Sequence, residues 1–172
     1  IGDVSTLGKF VVTGPDAIAF IEFLYPTKVS TLRPGRFRYV LLLDERGYVL
    51  DDGLICRERD DRFYLTLTSA GSTFGEMWIR DWAESRGFDI RLLNQTQSMG
   101  AINVTGPRAA ELLARTGVER LPGFARHSVV DVAGVTCRLM DMAETVDRWP
   151  HLSQTRRQLL APDPLTAMGC VK

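Results

Sequence analysis

The middle of the chain alternates hydrophobic and polar residues with the period of two that is typical of β-strands. The segment "RFRYVLLL" at residues 36–43 alternates and then becomes fully apolar, "YVLDDGLICR" follows at 48–57, and "RFYLTLTS" at 62–69. The short polar segments "DERG" and "ERDD" separate them and have the lengths of hairpin loops. The pattern therefore predicts three antiparallel strands in sequence order.

A strand–turn–helix phrase occurs twice, around the tetrapeptide V-T-G-P. The copies are "VVTGPDAIAFIEFL" at residues 11–24 and "NVTGPRAAELLART" at 103–116. In each copy β-branched residues precede Gly-Pro, which turns the chain sharply and suits the first turn of a helix. An amphipathic helix follows, with Phe23 on the apolar side of the first one. We interpret the copies as two related β–α units; the alternative is that they share only a way of turning a corner.

The remaining periodic segments alternate between helix and hairpin. Residues 72–87 predict a helix with Gly87 at its end and Met77 in its apolar stripe. A strand is expected at 88–94 and a hairpin at 127–140. Because the strands are expected to pair as hairpins and the helices lie between them along the chain, the predicted fold class is α+β, an antiparallel sheet with flanking helices.

Composition and charge narrow the class of protein. Of the 172 residues, 45% are hydrophobic, which allows a sizeable core. Lysine plus arginine and aspartate plus glutamate both number 21, so no global field attracts nucleic acid or an anionic membrane. No apolar run reaches the roughly 18 residues of a membrane-spanning helix. The three cysteines and two histidines are widely spaced, which predicts no metal site and a reduced, cytoplasmic setting.

Two adjacent carboxylates, Asp51 and Asp52, lie inside an otherwise apolar strand. Neighbours on a strand point to opposite faces, so at least one carboxylate is expected beside apolar side chains. Burial of that kind raises the pKa of a carboxyl group and makes it useful for proton transfer. The alternative is a charge that protects an edge strand from aggregation.

The register of the strands gives Asp52 specific neighbours. If "DERG" is a four-residue loop, Tyr39 faces Asp52 across the hairpin. Across the second turn Asp52 faces either Thr68 or, with one more loop residue, Leu67. We favour Thr68, because it completes a polar row, Tyr39–Asp52–Thr68, on an apolar sheet face. A row of this kind indicates a ligand site.

Several segments together resemble one known family. "DVSTLGKFVVTGPDAIAFIEFL" resembles the start of the folate-binding domain of the glycine-cleavage T-protein (aminomethyltransferase) family. Its "DVSTLGK" form is most similar to the branch at the C-terminal end of the sarcosine oxidase α subunit. "GRFRYVLLLDERGYVLDDGLICR", "TLTSAG" and "NVTGPRAAELLA" match further segments of that branch. The resemblance runs from about residue 2 to about residue 139.

The resemblance implies a tetrahydrofolate site on an internally duplicated fold. By position, Asp52 corresponds to the catalytic acid/base, and Tyr39 and Thr68 to polar residues on the neighbouring strands. Leu7 and Leu54 correspond to apolar positions near the folate ring. The implied reaction traps the one-carbon unit of an oxidised N-methyl amine as 5,10-methylenetetrahydrofolate. The implied partners are folate and other subunits of an amine-oxidising enzyme, whose flavin and NAD lie outside this chain.

The resemblance ends after Met140. Residues 1–140 therefore correspond to a partial folate-binding domain and residues 141–172 to a divergent tail, with a helix predicted over 143–160. Family members continue with a segment that carries a pterin-binding glutamate. No such segment is found here, and Glu144 lacks the flanking glycine and aromatic residues.

Three functional interpretations follow from the resemblance. The first is the catalytic, folate-dependent domain. The second is a degenerate domain that serves assembly or interaction with weak or no folate binding, which the missing glutamate segment favours. The third is a folate-dependent iron–sulfur assembly factor of the same superfamily, but "GCVK" at residues 169–172 lacks the Gly-Gln-acid ending of that group's motif.

Overall fold

The chain divides into two compact units in a computed structural model, which describes residues 1–142 and the strand at 166–171. The first unit comprises residues 5–99, and the second comprises, of the described residues, 1–4, 100–142 and 166–171. Within the described residues, none of the helices has the length and hydrophobicity needed to span a bilayer. The elements along the chain are β1 (Gly2–Asp3), β2 (Gly8–Thr13), α1 (Ala17–Leu24), β3 (Arg36–Leu43), β4 (Val49–Arg59), β5 (Arg62–Leu67), α2 (Ser72–Arg86), β6 (Arg91–Asn94), β7 (Gly100–Thr105), α3 (Ala109–Arg115), β8 (Arg126–Val132), β9 (Val135–Asp141) and β10 (Thr166–Val171).

The two units repeat one topology. In the first unit the strands lie in the order β3-β4-β5-β2-β6, and each neighbouring pair is antiparallel. In the second unit the order is β8-β9-β10-β7-β1, again antiparallel throughout. The path β2-α1-β3-β4-β5 thus matches β7-α3-β8-β9-β10, and one edge strand of each unit comes from outside the repeat. The predicted α+β fold and its internal duplication are confirmed.

The V-T-G-P phrase marks the same backbone turn in both units. Gly14 and Gly106 have φ angles of 138° and 124°, in the region that glycine adopts far more readily than other residues. At Gly14 there is also no room for a side chain, because an added Cβ would lie 2.4 Å from the Asp89 carbonyl oxygen. The repeated phrase therefore reflects a repeated backbone requirement.

The core of the first unit lies between one face of its sheet and the helices α1 and α2. The predicted helix stripes are partly wrong, because Phe23 and Met77 are 44% and 58% exposed. In α2 the buried residues include Ile79 and Ala83 instead. The fully buried core residues are Phe10, Val12, Ala17, Phe20, Ile21, Val29, Leu42, Ile55, Phe63 and Ile79.

The C-terminal part contains the predicted hairpin and an additional strand. β8 and β9 pair with each other and turn at Ala133-Gly134, as expected. Strand β10 pairs with both β7 and β9 and so completes the strand order of the second unit. The helix predicted over residues 143–160 lies outside the described residues, and the boundary at residue 140 stays a prediction.

Gly53 is a point of close approach between β4 and β5. A Cβ at this position would lie 1.8 Å from the Thr66 carbonyl oxygen and 2.7 Å from the carbonyl carbon. We expect Gly53→Ala to force the two strands apart and to lower the free energy of unfolding by about 2–3 kcal/mol, measured by urea denaturation. Gly2→Ala is the matched control, because an added Cβ there meets nothing within 4 Å. Equal losses in the two variants would contradict this explanation.

Candidate functional site

Tyr39 and Asp52 lie on paired strands but not directly opposite each other. The pairing of β3 with β4 places Leu54 opposite Tyr39 and Leu41 opposite Asp52. The predicted register, which placed Tyr39 opposite Asp52, is therefore wrong. Tyr39 pairs with residue 54 instead of residue 52, so the offset is two residues. Because side chains alternate between the two faces of a sheet, an even offset leaves the side chains of Tyr39 and Asp52 on the same face.

The connection between β3 and β4 explains the offset. The loop covers residues 44–48, one residue more than the sequence pattern predicted, which accounts for one residue of the offset. A β-bulge beside Leu42 accounts for the other residue. The Asp44 carboxylate stabilises this longer loop, because it accepts a hydrogen bond from the Tyr48 N–H at 2.9 Å. The bulge and the side-chain hydrogen bond together set the position of Asp52 along the strand.

The Tyr39 hydroxyl donates a hydrogen bond to Oδ2 of Asp52. The two side chains meet along the diagonal of the antiparallel ladder, a separation that a long aromatic side chain can span. Tyr39 is 61% exposed and Asp52 is half-buried, so the pair borders on solvent. The hydrogen bond from Tyr39 to Asp52 raises the pKa of Tyr39, and burial and the charges of Asp52 and Asp51 raise it further. The sheet thus presents a phenol and a carboxylate as one proton-handling pair.

Asp51 points to the other face of β4, which packs against the helices, and is 7% exposed. Its Oδ1 accepts the N–H of Asp52 at 2.9 Å, and its Oδ2 accepts the N–H of Thr68 at 3.1 Å. Burial and, to a smaller extent, the charge of Asp51 raise the pKa of Tyr25, which follows α1. Strand alternation predicted that the two carboxylates separate, but it gave no indication of the groups that Asp51 binds.

Thr68, the predicted third member of the polar row, lies one residue beyond β5. The two strands pair in the register that the sequence favoured, with Ile55 opposite Leu65. The Thr68 N–H donates to Asp51, and its Oγ1 accepts the N–H of Gly71 at 3.1 Å. Thr68 is therefore bound to Asp51 and to the loop before α2, and its part in ligand binding stays a prediction.

The two predicted apolar residues occupy different surroundings. Leu54 is buried beside Tyr39, and its N–H donates to Oγ1 of Thr66 at 2.9 Å. Leu7 is half-buried just before β2, and its carbonyl oxygen accepts a hydrogen bond from Nζ of the buried Lys9 at 2.8 Å. Within the described residues, no group of three or more His, Cys, Asp or Glu side chains is arranged to hold a metal ion. On this face of the sheet the structure brings Tyr39 and Asp52 into contact.

The second unit carries different residues at the equivalent positions. The strand pairings make Val129 equivalent to Tyr39 and Thr136 equivalent to Asp52. A valine cannot donate a hydrogen bond and a threonine carries no charge, so the proton-handling pair belongs to the first unit. The equivalence comes from matching the strand partners of the two units. The partners Thr13 and Arg62 correspond to Thr105 and Thr166, and the partners Leu65 and Ile55 correspond to Gly169 and Leu139.

We expect Tyr39 to ionise at higher pH than an ordinary tyrosine. Its raised folded-state pKa means that the stabilisation is complete below the ordinary value of 10.0 and is lost as the pH rises through the folded pKa. The measurement is the near-ultraviolet absorbance of tyrosinate, taken as the difference between the wild-type chain and Tyr39→Phe. Asp52→Asn should return the midpoint toward the ordinary value.

The control for this titration is Tyr48→Phe, which removes an exposed tyrosine on the same hairpin. Its absorbance difference from the wild-type chain should report the Tyr48 hydroxyl and should not move when Asp52 is replaced. A Tyr39 midpoint that is the same in the wild-type and Asp52→Asn backgrounds would show that the hydrogen bond does not form in solution.

Residues 1–143 match the sequence model of the family described as the GCVT N-terminal domain. The aminomethyltransferase of Thermotoga petrophila is 31% identical over 126 residues, which cover 73% of this chain and 34% of that protein. The sarcosine oxidase subunit alpha of Corynebacterium sp. strain U-96 is 30% identical over 115 residues, 66% of this chain and 12% of that protein. The chain thus spans about a third or less of these relatives.

A solved structure has the same fold. The crystal structure of the glycine cleavage system aminomethyltransferase T from Bartonella henselae superimposes with a TM-score of 0.72 at 22% identity, covering 98% of this chain and 40% of that one. The resemblance first indicated by the V-T-G-P and D-D-G segments is confirmed by the family match and by the fold. This chain belongs to the GCVT N-terminal domain family.

Proposed function

We propose that this chain binds tetrahydrofolate beside Tyr39 and Asp52 and captures the one-carbon unit of an oxidised N-methyl amine as 5,10-methylenetetrahydrofolate. Family membership supports an aminomethyltransferase-like domain. The observation that carries the finer proposal is the hydrogen bond from Tyr39 to the half-buried Asp52, on the sheet face away from the helices. A carboxylate in this position can accept a proton from a bound amine.

The surroundings of Asp52 suit a ligand that combines a flat ring with amine groups. Leu41 stands directly opposite Asp52 and is 40% exposed, and the Tyr39 ring is exposed on the same face. Apolar surface with one or two placed polar groups is the usual composition of a small-molecule site. Leu41 was not predicted from the sequence, because the predicted register placed Tyr39 opposite Asp52. Leu7, Leu54 and Thr68 are further candidates for holding the ligand.

The two polar side chains have separate tasks in this proposal. Tetrahydrofolate, when bound, supplies the amine nitrogens that receive the one-carbon unit. Oδ2 of Asp52 accepts the hydrogen bond from the Tyr39 hydroxyl. Oδ1 is therefore the atom that we assign to receive the proton released by the amine. Tyr39 orients the carboxylate through the hydrogen bond. Asp52 is therefore the acid/base and Tyr39 its positioning partner.

A larger enzyme is the proposed setting for this reaction. Similar proteins include sarcosine oxidase alpha subunits, in which the matched region is only 12% of the chain. We infer that the oxidation of the amine takes place elsewhere in an assembly of this type, with flavin and NAD bound outside the residues of this chain. The alternative, a non-catalytic domain used for assembly, is favoured by the lack of a recognisable pterin-binding glutamate segment after Met140.

Asp52→Asn keeps the shape of the side chain and removes its charge. We expect the variant to fold normally and the yield of 5,10-methylenetetrahydrofolate per amine oxidised to fall by about 10²–10⁴-fold, because the positioned base is lost. The measurement is product formation by the amine-oxidising enzyme that carries this chain. Calorimetric titration with tetrahydrofolate should show binding that is weakened by about tenfold, as expected for loss of a hydrogen bond to a charged group.

The matched control is Glu45→Gln, which neutralises an exposed carboxylate in the loop at residues 44–48. This variant should match the wild-type protein in both measurements. A product yield that Asp52→Asn leaves unchanged would reject the acid/base role of Asp52. A wild-type chain that binds no tetrahydrofolate at millimolar concentration would assign the protein to the non-catalytic alternative.

A further inference from the structure

The regular pairing of β4 with β5 stops just before the candidate site. The pair closest to the site is Ile55 opposite Leu65. Beyond this pair a side chain of β5 accepts the hydrogen bond from β4: Oγ1 of Thr66 accepts the Leu54 N–H at 2.9 Å. On the β3 side the ladder pairs Asp52 with Leu41, whereas on the β5 side the strand next to Asp52 is held by side-chain contacts to the backbone.

Asp51 makes the next of these contacts and also binds the site residue directly. Its Oδ2 accepts the Thr68 N–H at 3.1 Å, which connects β4 to the end of β5. Its Oδ1 accepts the Asp52 N–H at 2.9 Å. Each oxygen thus accepts one N–H group. A carboxylate can satisfy both donors, whereas a carboxamide has one acceptor oxygen and would present an NH₂ group to the other donor.

The surroundings of the Asp51 carboxylate leave it little freedom to move. An added Cβ at Gly71 would lie 2.2 Å from Oδ2 of Asp51 and 2.6 Å from its carboxyl carbon. Tyr25, which is 2% exposed, is close enough for its hydroxyl to be influenced by the Asp51 charge. A buried carboxylate that binds two backbone N–H groups strongly favours this single position, because leaving it would bury an unsatisfied charge.

We propose that Asp51 is a positioning residue: from the helix-facing side of the sheet it fixes the backbone at Asp52, so that Asp52 meets the Tyr39 hydroxyl on the other face. The adjacent aspartates then have different tasks, since Asp51 holds the strand and Asp52 faces the ligand. The effect on catalysis rests on the proposed function, but the effect on the Asp52–Tyr39 contact does not.

Two variants disturb Asp51 in different ways. Asp51→Asn removes the charge together with one acceptor, whereas Gly71→Ala keeps the charge and displaces the carboxylate. Tyr39 reports the position of Asp52, so its absorbance titration is recorded in each variant as the difference from the same variant carrying Tyr39→Phe. We expect both variants to move the Tyr39 midpoint most of the way to the value found in Asp52→Asn.

Asp16→Asn is the matched control for these variants. Asp16 is another aspartate of the first unit whose carboxylate accepts a backbone N–H group, that of Asp89, at 2.9 Å. Asp16 directly precedes α1 and Asp89 lies between α2 and β6, so this contact is separate from the β3–β4 hairpin. We therefore expect this variant to leave the Tyr39 midpoint at the wild-type value.

Hydrogen exchange is measured on the wild-type chain, so this test does not depend on whether the variants fold. The amides of Asp52 and Thr68 donate to a buried carboxylate, so they should exchange at least about 10²-fold more slowly than the amide of the exposed Glu45. Exchange of both amides as fast as that of Glu45 would overturn the proposal. So would a Tyr39 midpoint that Gly71→Ala leaves unchanged, even if Asp51→Asn moves it, because charge alone would then explain the shift.

The catalytic consequence is measured separately. With tetrahydrofolate as acceptor, Asp51→Asn should lower kcat for methylenetetrahydrofolate formation by about 10- to 100-fold, because small misplacements of a catalytic group are costly. The KM for tetrahydrofolate should change by less than about threefold. An unchanged kcat would overturn the catalytic part of the proposal. A wild-type protein that forms no product would refute the proposed function, while the titration and the exchange rates would still decide the role of Asp51.

Discussion

The alternation of side chains along β4 is the constraint on which the candidate site depends. Because neighbouring residues point to opposite faces, Asp51 and Asp52 are separated by the thickness of the sheet. Asp52 accepts the Tyr39 hydroxyl at the solvent border, and Asp51 binds backbone N–H groups on the buried side. A shift of one residue would exchange the two carboxylates, so the loop and the bulge of the β3–β4 hairpin decide which of them faces a ligand.

Buried charged side chains stabilise the surroundings of the site by binding the backbone. Nζ of Lys9, which is 1% exposed, donates to the carbonyl oxygens of Ser5 and Leu7, each at 2.8 Å. Asp51 has the complementary role, because its oxygens accept N–H groups. In both cases a full charge is matched by backbone dipoles at short range, as a buried ion requires. The segments next to the site are thereby connected to the sheet.

The duplicated topology separates what the backbone requires from what the chemistry requires. Both units keep the Gly-Pro turn, because the positive φ of Gly14 and Gly106 is needed wherever this strand enters this helix. The first unit alone has a tyrosine and an aspartate in the relevant strand positions; the second has Val129 and Thr136. Duplication therefore explains the fold, and divergence of side chains on one sheet explains the candidate site.

Periodicity and local turn chemistry determined much of this fold from the sequence alone. The three central strands, the hairpin at Ala133-Gly134 and the repeated strand–Gly-Pro–helix unit depend on near neighbours, and the sequence predicted them correctly. The family resemblance, carried by the same segments, assigned roles to Tyr39 and Asp52, and the structure joins these two side chains by a hydrogen bond.

The tertiary structure alone decided the details that depend on contacts between strands. The longer loop and the bulge shifted the register by two residues, and the Asp51 carboxylate bound Thr68, which the sequence had assigned to Asp52. Alternation along a strand fixes the face of each side chain but not the residue that lies opposite it on the neighbouring strand. That register is set by packing and hydrogen bonds between residues far apart in the chain, which a local pattern does not encode.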